Sequence, residues 1–195
     1  MMHRAELLTF YEEDVHRNGA TALELEHSDE HFSSVEEVWL AILDERIGPR
    51  FIAYWSAIAQ EHGTFQDVFR RFFVRMIDSV REDEIRYGCP LFGLLHELSS
   101  VDESYRLRML VIIDEMIDVC RTLIKRGIER GELLESIDVD AVATWIVASV
   151  EGAWGIAKVH ATKDALRTAL LGVQTALEAM HPMNNPGKAR GRMNA

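Results

Sequence analysis

Apolar residues recur at intervals of three and four along most of this chain, the period of a helix with one buried face, and no stretch alternates as a half-buried strand would. The reading is therefore all-α. A first helix is expected over about 5–17, stopped by Asn18-Gly19. Ser33-Ser34 opens another, capped with an acidic residue three positions on, with Val38, Trp39, Ile42 and Leu43 on its apolar face. Gly48-Pro49 interrupts that pattern with a kink or a new start, after which Phe51, Tyr54, Trp55 and Ile58 share a face. Gly63-Thr64 ends this helix and caps the next, which carries Phe65, Val68, Phe69, Phe72, Phe73, Met76, Ile77 and Val80. Gly88-Cys89-Pro90 leads into a short helix over 91–98.

A long helix follows from about Asp102 to Arg130, which at 1.5 Å per residue is roughly 43 Å. It has two apolar stripes: Leu110, Ile113, Ile117, Cys120 and Ile124, and beside them Met109, Ile112, Met116, Val119 and Leu123. Two adjoining stripes predict a central helix that touches several neighbours. Gly131 stops it and Asp138 caps a helix over 139–159 that is apolar nearly all round. The last helix spans about 162–180, with Leu166, Leu170, Val173 and Leu177 on one face and Ala169, Gly172 and Ala176 beside it. Residues 181–195 contain Pro, Gly, Asn and three basic side chains, and read as a disordered tail whose charges are solubilising.

The length suits one large domain or a small one joined to a larger. No run of about eighteen apolar residues appears, so no membrane span is expected; the N-terminus lacks an apolar signal core, so the expected location is the cytoplasm. Charge changes the picture more than composition does. Residues 1–45 hold twelve acidic side chains against Arg4 and Arg17, a balance of −10, while the whole chain carries −11. Phosphate attraction supplies most non-specific affinity for DNA, and this segment opposes it. The eight histidines are scattered, no pair has metal-ligand spacing, and His96-Glu97 lacks the second His of a zinc-protease motif. Cys89 and Cys120 form no disulfide or metal pattern and read as buried thiols. With no nucleophile–base pattern and no phosphate loop, neither an enzyme nor a cofactor is expected.

The run Gly88-Cys89-Pro90-Leu91-Phe92-Gly93-Leu94-Leu95-His96-Glu97-Leu98-Ser99 resembles the helix-opening segment midway through TetR-type bacterial regulators. The long helix after Asp102-Glu103, then Arg130-Gly131-Glu132-Leu133, then Val147-Ala148-Ser149-Val150-Glu151-Gly152 continue the resemblance in order. It implies a TetR-like helical bundle with a C-terminal dimerisation helix pair. It further implies a homodimer whose subunits each join an N-terminal three-helix DNA reader to a larger domain with a small-molecule pocket. The N-terminus departs from the family: Asp29 stands where Tyr is expected and Val35 where Lys is expected, both phosphate contacts there. Only nine residues, Ala22 to Glu30, lie where two helices and a turn need about nineteen.

Three regions follow: a shortened or degenerate DNA-binding-type segment over 1–46, a ligand-binding and dimerisation domain over 47–180, and the tail. Trp55, Phe69, Phe73, Phe92, His96, Met109, Ile113 and Met116 are the candidate ligand-binding residues, for an apolar or amphipathic effector; ordinary core packing is the competing reading for each. Trp145, Glu151, Trp154, Leu166, Leu170, Val173 and Leu177 are the candidate dimer interface, across which the last two helices pair with their copies. Glu151 is open to two roles, a functional buried carboxylate or an acceptor at the subunit interface. Two functions stand together: a ligand-responsive transcriptional regulator with weak DNA binding, or a ligand-binding or dimerising protein that no longer binds DNA and acts through a protein partner.

Overall fold

The computed structural model describes residue 40 and residues 43–100 and 102–182. The helices expected over 5–17 and most of the one opening at Ser33-Ser34, the short interval 22–30, and the tail beyond residue 182 lie outside the described residues. Within them the fold is six α-helices with no strand: α1 (Gly48–Ala59), α2 (Phe65–Ser79), α3 (Pro90–Leu98), α4 (Glu103–Glu129), α5 (Val139–His160) and α6 (Lys163–Ala179). A π-helical turn over Leu43–Ile47 precedes α1, and a 3-10 turn over Ile85–Tyr87 precedes α3.

The boundaries follow local chemistry. Thr64, Asp102, Asp138 and Thr162 each accept a backbone N–H in the first turn of the helix they open, from Asp67, Ser104, Ala141 and Ala165 respectively. Gly63 and Gly131 follow the ends of α1 and α4 with φ of 121° and 70°, a backbone region that L side chains rarely adopt. The Gly48-Pro49 break is a new start: α1 begins at Gly48 with Pro at its first turn, where a missing N–H costs no intrahelical bond.

α4 is the axis. α1 runs parallel to it, since Arg108 pairs with Asp44 at one end and Arg126 donates to the carbonyl of Ala59 at the other. At the first of these ends a Cβ on Gly48 would stand 3.0 Å from Ile112 Cδ1, so the two helices meet closely there. α2 starts at the far end of α4, where Glu132 accepts its first N–H, from Phe65. It then runs back beside α6: Gln174 donates to the Gln66 carbonyl, and Lys163 N–H to Glu82. α5 and α6 form an antiparallel hairpin turned by Ala161, which is left-handed at φ 53°.

The core is one continuous cluster between these helices. The stripe Met109, Ile112, Met116, Val119 and Leu123 is buried along its length. The other stripe is buried only from Ile117 onward: Leu110 is 45% exposed and Ile113 is half-buried. The N-terminal third of α4 therefore has a bare apolar side, completed by Leu107 and Val111.

α5 is long and apolar enough, by length and composition, to cross a membrane, although charged residues interrupt its apolar run. Its attachments are those of a bundle helix: one face packs on α4 and α6, and Asp140 pairs with Arg121 of α4.

Candidate functional site

The aromatic residues of α1 and α2 form a pile centred on Phe72, which is fully buried. Trp55 meets Phe72 edge-on at 4.9 Å between ring centroids, Tyr54 at 5.2 Å, Phe73 at 5.8 Å and Phe69 at 6.5 Å. Phe69 in turn meets Phe65 at 4.9 Å and Phe73 at 5.9 Å. These tilted and edge-to-face contacts are the arrangement in which rings attract one another. Of the candidate ligand residues, Trp55, Phe69, Phe73, Met109 and Met116 are buried in the common core and Ile113 is half-buried against it. Phe92 is half-buried on α3 and meets His96, ring centroids 6.2 Å apart. His96 itself is exposed. The set thus divides into residues of the packed core and a Phe92–His96 pair at its edge.

Polar atoms mark the interior more sharply than the aromatics do. Three buried side-chain atoms among the described residues have no hydrogen-bond partner: Tyr54 Oη, Glu151 Oε2 and Gln174 Oε1. Such atoms are few in folded proteins and each calls for a physical account. Tyr54 lies beside Phe72, and burial pushes its hydroxyl up to about 12. Gln174, on α6, uses its amide nitrogen on the Gln66 carbonyl and on Glu178 and leaves its oxygen idle.

Glu151 is the one with chemical reach. It sits at mid-length on α5, on the inward face with Val147 and Val150. Desolvation by burial raises its carboxyl from 4.5 to about 7, opposed by a hydrogen bond with Cys89. The Cys89 thiol is pushed well above its ordinary value, first by burial and then by the nearby carboxylate, so it is a neutral donor. Cys89 reaches this place because Gly88, at φ 76°, turns the chain against α5, where Lys158 lies over it. Nothing in the sequence links Cys89 to Glu151; the contact is tertiary. Gln174 could have been found, since it shares the inward face of α6 with Leu170, Val173 and Leu177.

The candidate interface also divides. Leu166, Leu170, Val173 and Leu177 are buried inside one protomer, against the rest of the core. Within the protomer that stripe is already covered. An apolar stripe serves the nearest core first, and α6 spends its stripe on α5 and α2. Glu151 is likewise internal, and Trp154 is half-buried. Trp145 is at the surface.

The face that the hairpin turns outward is a different set. On α5 it runs through Trp145, Ala148, Gly152, Gly155, Ile156 and Val159, and on α6 through Thr168, Leu171, Gly172 and Thr175. Ile156 is 54% exposed, Leu171 63% and Val159 83%. A Cβ built on Gly152, Gly155 or Gly172 would meet no atom within 4 Å, so these glycines serve no contact inside the protomer. Among the described residues no group of three His, Cys, Asp or Glu side chains stands close enough to hold a metal.

Residues 67–173 match a family described as tetracyclin repressor-like, C-terminal domain. The structure is similar to that of a TetR transcriptional regulator from Chloroflexus aurantiacus J-10-FL, with 26% sequence identity and a TM-score of 0.60. That similarity covers 78% of this chain and 76% of the other. No curated protein matches the chain.

Proposed function

Because this chain belongs to the tetracyclin repressor-like (TetR) family, we propose that it is a homodimeric regulator whose helical domain takes a small apolar or amphipathic effector, with direct DNA binding weakened or lost. The observation that carries the assembly is the outward face of α5 and α6. It combines large apolar side chains with three glycines that have open space above them, so a second backbone can approach closely there. A two-fold axis through this face sets Leu171 and Ile156 against their copies and makes the contact self-complementary. The same face gives α5, packed on α4 and α6 along its other side, a further partner.

The effector reading rests on the many aromatic and Met side chains in one interior, together with the idle Tyr54 hydroxyl beside Phe72. Trp55, Phe69, Phe73, Met109, Ile113 and Met116 form its apolar wall in this proposal, with Phe92 and His96 towards the surface. The protein acts in the cytoplasm and uses no cofactor or enzymatic step.

Weak DNA binding follows from charge. The segment that would meet phosphate carries −10 over residues 1–45, and the positions expected to hold Tyr and Lys hold Asp29 and Val35. The same observation favours the second reading, a dimeric ligand-binding protein that has given up DNA and signals through a protein partner. An electrophoretic mobility shift with DNA from around its own gene, run across a salt series, separates the two. A tight, sequence-specific, salt-sensitive shift establishes a DNA-binding regulator and removes the case for loss; undetectable or salt-insensitive binding supports the partner reading.

A further inference from the structure

We propose that Glu151, with the Cys89 thiol beside it, is the anchor for a protonated primary or secondary amine on an otherwise apolar effector. The inference rests on the reading of the domain as an effector site and names the chemistry of the effector's head group. Its basis is a mismatch between what the carboxyl needs and what the chain provides. One side of the carboxyl receives the Cys89 thiol, while Oε2 is buried and receives nothing.

An ionised carboxylate in such a place requires a cation or several strong donors. No charged side chain of the described residues acts on it: what acts is burial, then the thiol. Of the nearby bases, Arg86 on the 3-10 turn is exposed, donates to the Tyr87 hydroxyl and lies 4.8 Å over that ring. Lys158 lies two turns along α5 and covers Gly88 at the surface. From α4 and α6 no charged group reaches the carboxyl, and the faces they turn inward are otherwise apolar but for Gln174.

The apolar residues on the two elements that carry Glu151 and Cys89 suit the rest of such a molecule. Val147 and Val150 share the inward face with Glu151, while Leu91 and Leu94 of α3 are buried and Phe92 is half-buried. An ammonium supplies the missing charge and up to three N–H donors, one of which serves Oε2. A hydroxyl supplies a donor without the charge, and a carboxylate adds a second anion whenever Glu151 is ionised. The expected order of preference is therefore amine, then alcohol, then acid.

Octylamine, 1-octanol and octanoate share one apolar chain and differ only at the head. Binding of each to the full chain is measured by titration calorimetry at pH 6 and pH 8, for the natural sequence and for Glu151→Gln, with far-ultraviolet circular dichroism to verify that the variant is folded. Octylamine is expected to bind at least ten-fold more tightly than octanol at pH 8. At pH 6 its binding should release a proton, read from the dependence of the heat on the buffer. In Glu151→Gln the preference should fall to within about two-fold and the proton release should vanish. Equal affinities for octylamine and octanol in the natural sequence, or a preference that survives in the variant, overturns the anchor while leaving the effector site standing. Failure of all three compounds to bind the natural sequence overturns the effector reading itself.

Discussion

Replacing Glu151 by Gln keeps the shape of the side chain and removes its titration, so the variant reports how the fold bears this buried group. The carboxyl moves from 4.5 to about 7 on folding, through desolvation. At about 1.4 kcal/mol for each tenfold change in proton affinity, that is on the order of 3 kcal/mol. The folded state holds the proton more tightly than the unfolded chain does, so the contribution is fully present below 4.5, falls as pH rises and is gone above about 7. Other carboxylates act in the opposite sense: ion pairs with arginine lower Glu61 and Glu103, for example, so total stability against pH is a mixture. The difference between the natural chain and Glu151→Gln isolates the one group. Urea unfolding followed by circular dichroism at pH 5, 6, 7 and 8, at one protein concentration so that any association contributes equally, measures it. The variant should gain on the natural chain by most of those 3 kcal/mol between pH 5 and pH 8. Any fixed penalty from the amide's own idle oxygen moves all four points together. A difference that stays constant across the four pH values would refute the picture of a desolvated carboxyl at the centre of α5.

Leu171→Glu places a charge on the outward face of α6 without touching the protomer core; light scattering at micromolar concentration should show a monomer, and an unchanged dimer would locate the interface elsewhere. Phe72→Ala removes the ring on which Tyr54, Trp55, Phe69 and Phe73 converge, and should cost about 3–5 kcal/mol in denaturant unfolding; a loss under 1 kcal/mol would mean that the pile collapses to fill the gap. Gly48→Ala drives a Cβ to 2.9 Å from the Leu43 carbonyl oxygen and 3.0 Å from Ile112, so a loss of about 1–3 kcal/mol is expected, measured by the same unfolding; a neutral result would mean that the contact between α1 and α4 is slack.

The helices over the described residues were legible because their signals are local. A cap, a glycine stop and a run of apolar residues at helical spacing act within a few residues of one another. Thr64, Asp102 and Asp138 therefore stand as caps where they were expected, and α4, α5 and α6 begin and end within a residue or two of the reading. Periodicity also identified which side of α6 is apolar. It did not say what that side faces, since the same stripe Leu166–Leu170–Val173–Leu177 serves an interface or a core equally well. Tertiary structure decided for the core: α5 and α2 lie against it, and the free face became the weaker set around Leu171 and Gly172. The bare Leu107, Leu110 and Val111 on α4 have the same origin, as hydrophobicity is a property of the residue while burial depends on which neighbours arrive. Glu151 shows the division most clearly. Its place on an apolar helix marked it as buried from the sequence alone, but its partner, Cys89, lies 62 positions away in the sequence. Only the turn at Gly88, which lays the start of α3 against the middle of α5, brings a thiol to one side of the carboxyl and leaves Oε2 without a hydrogen-bond partner.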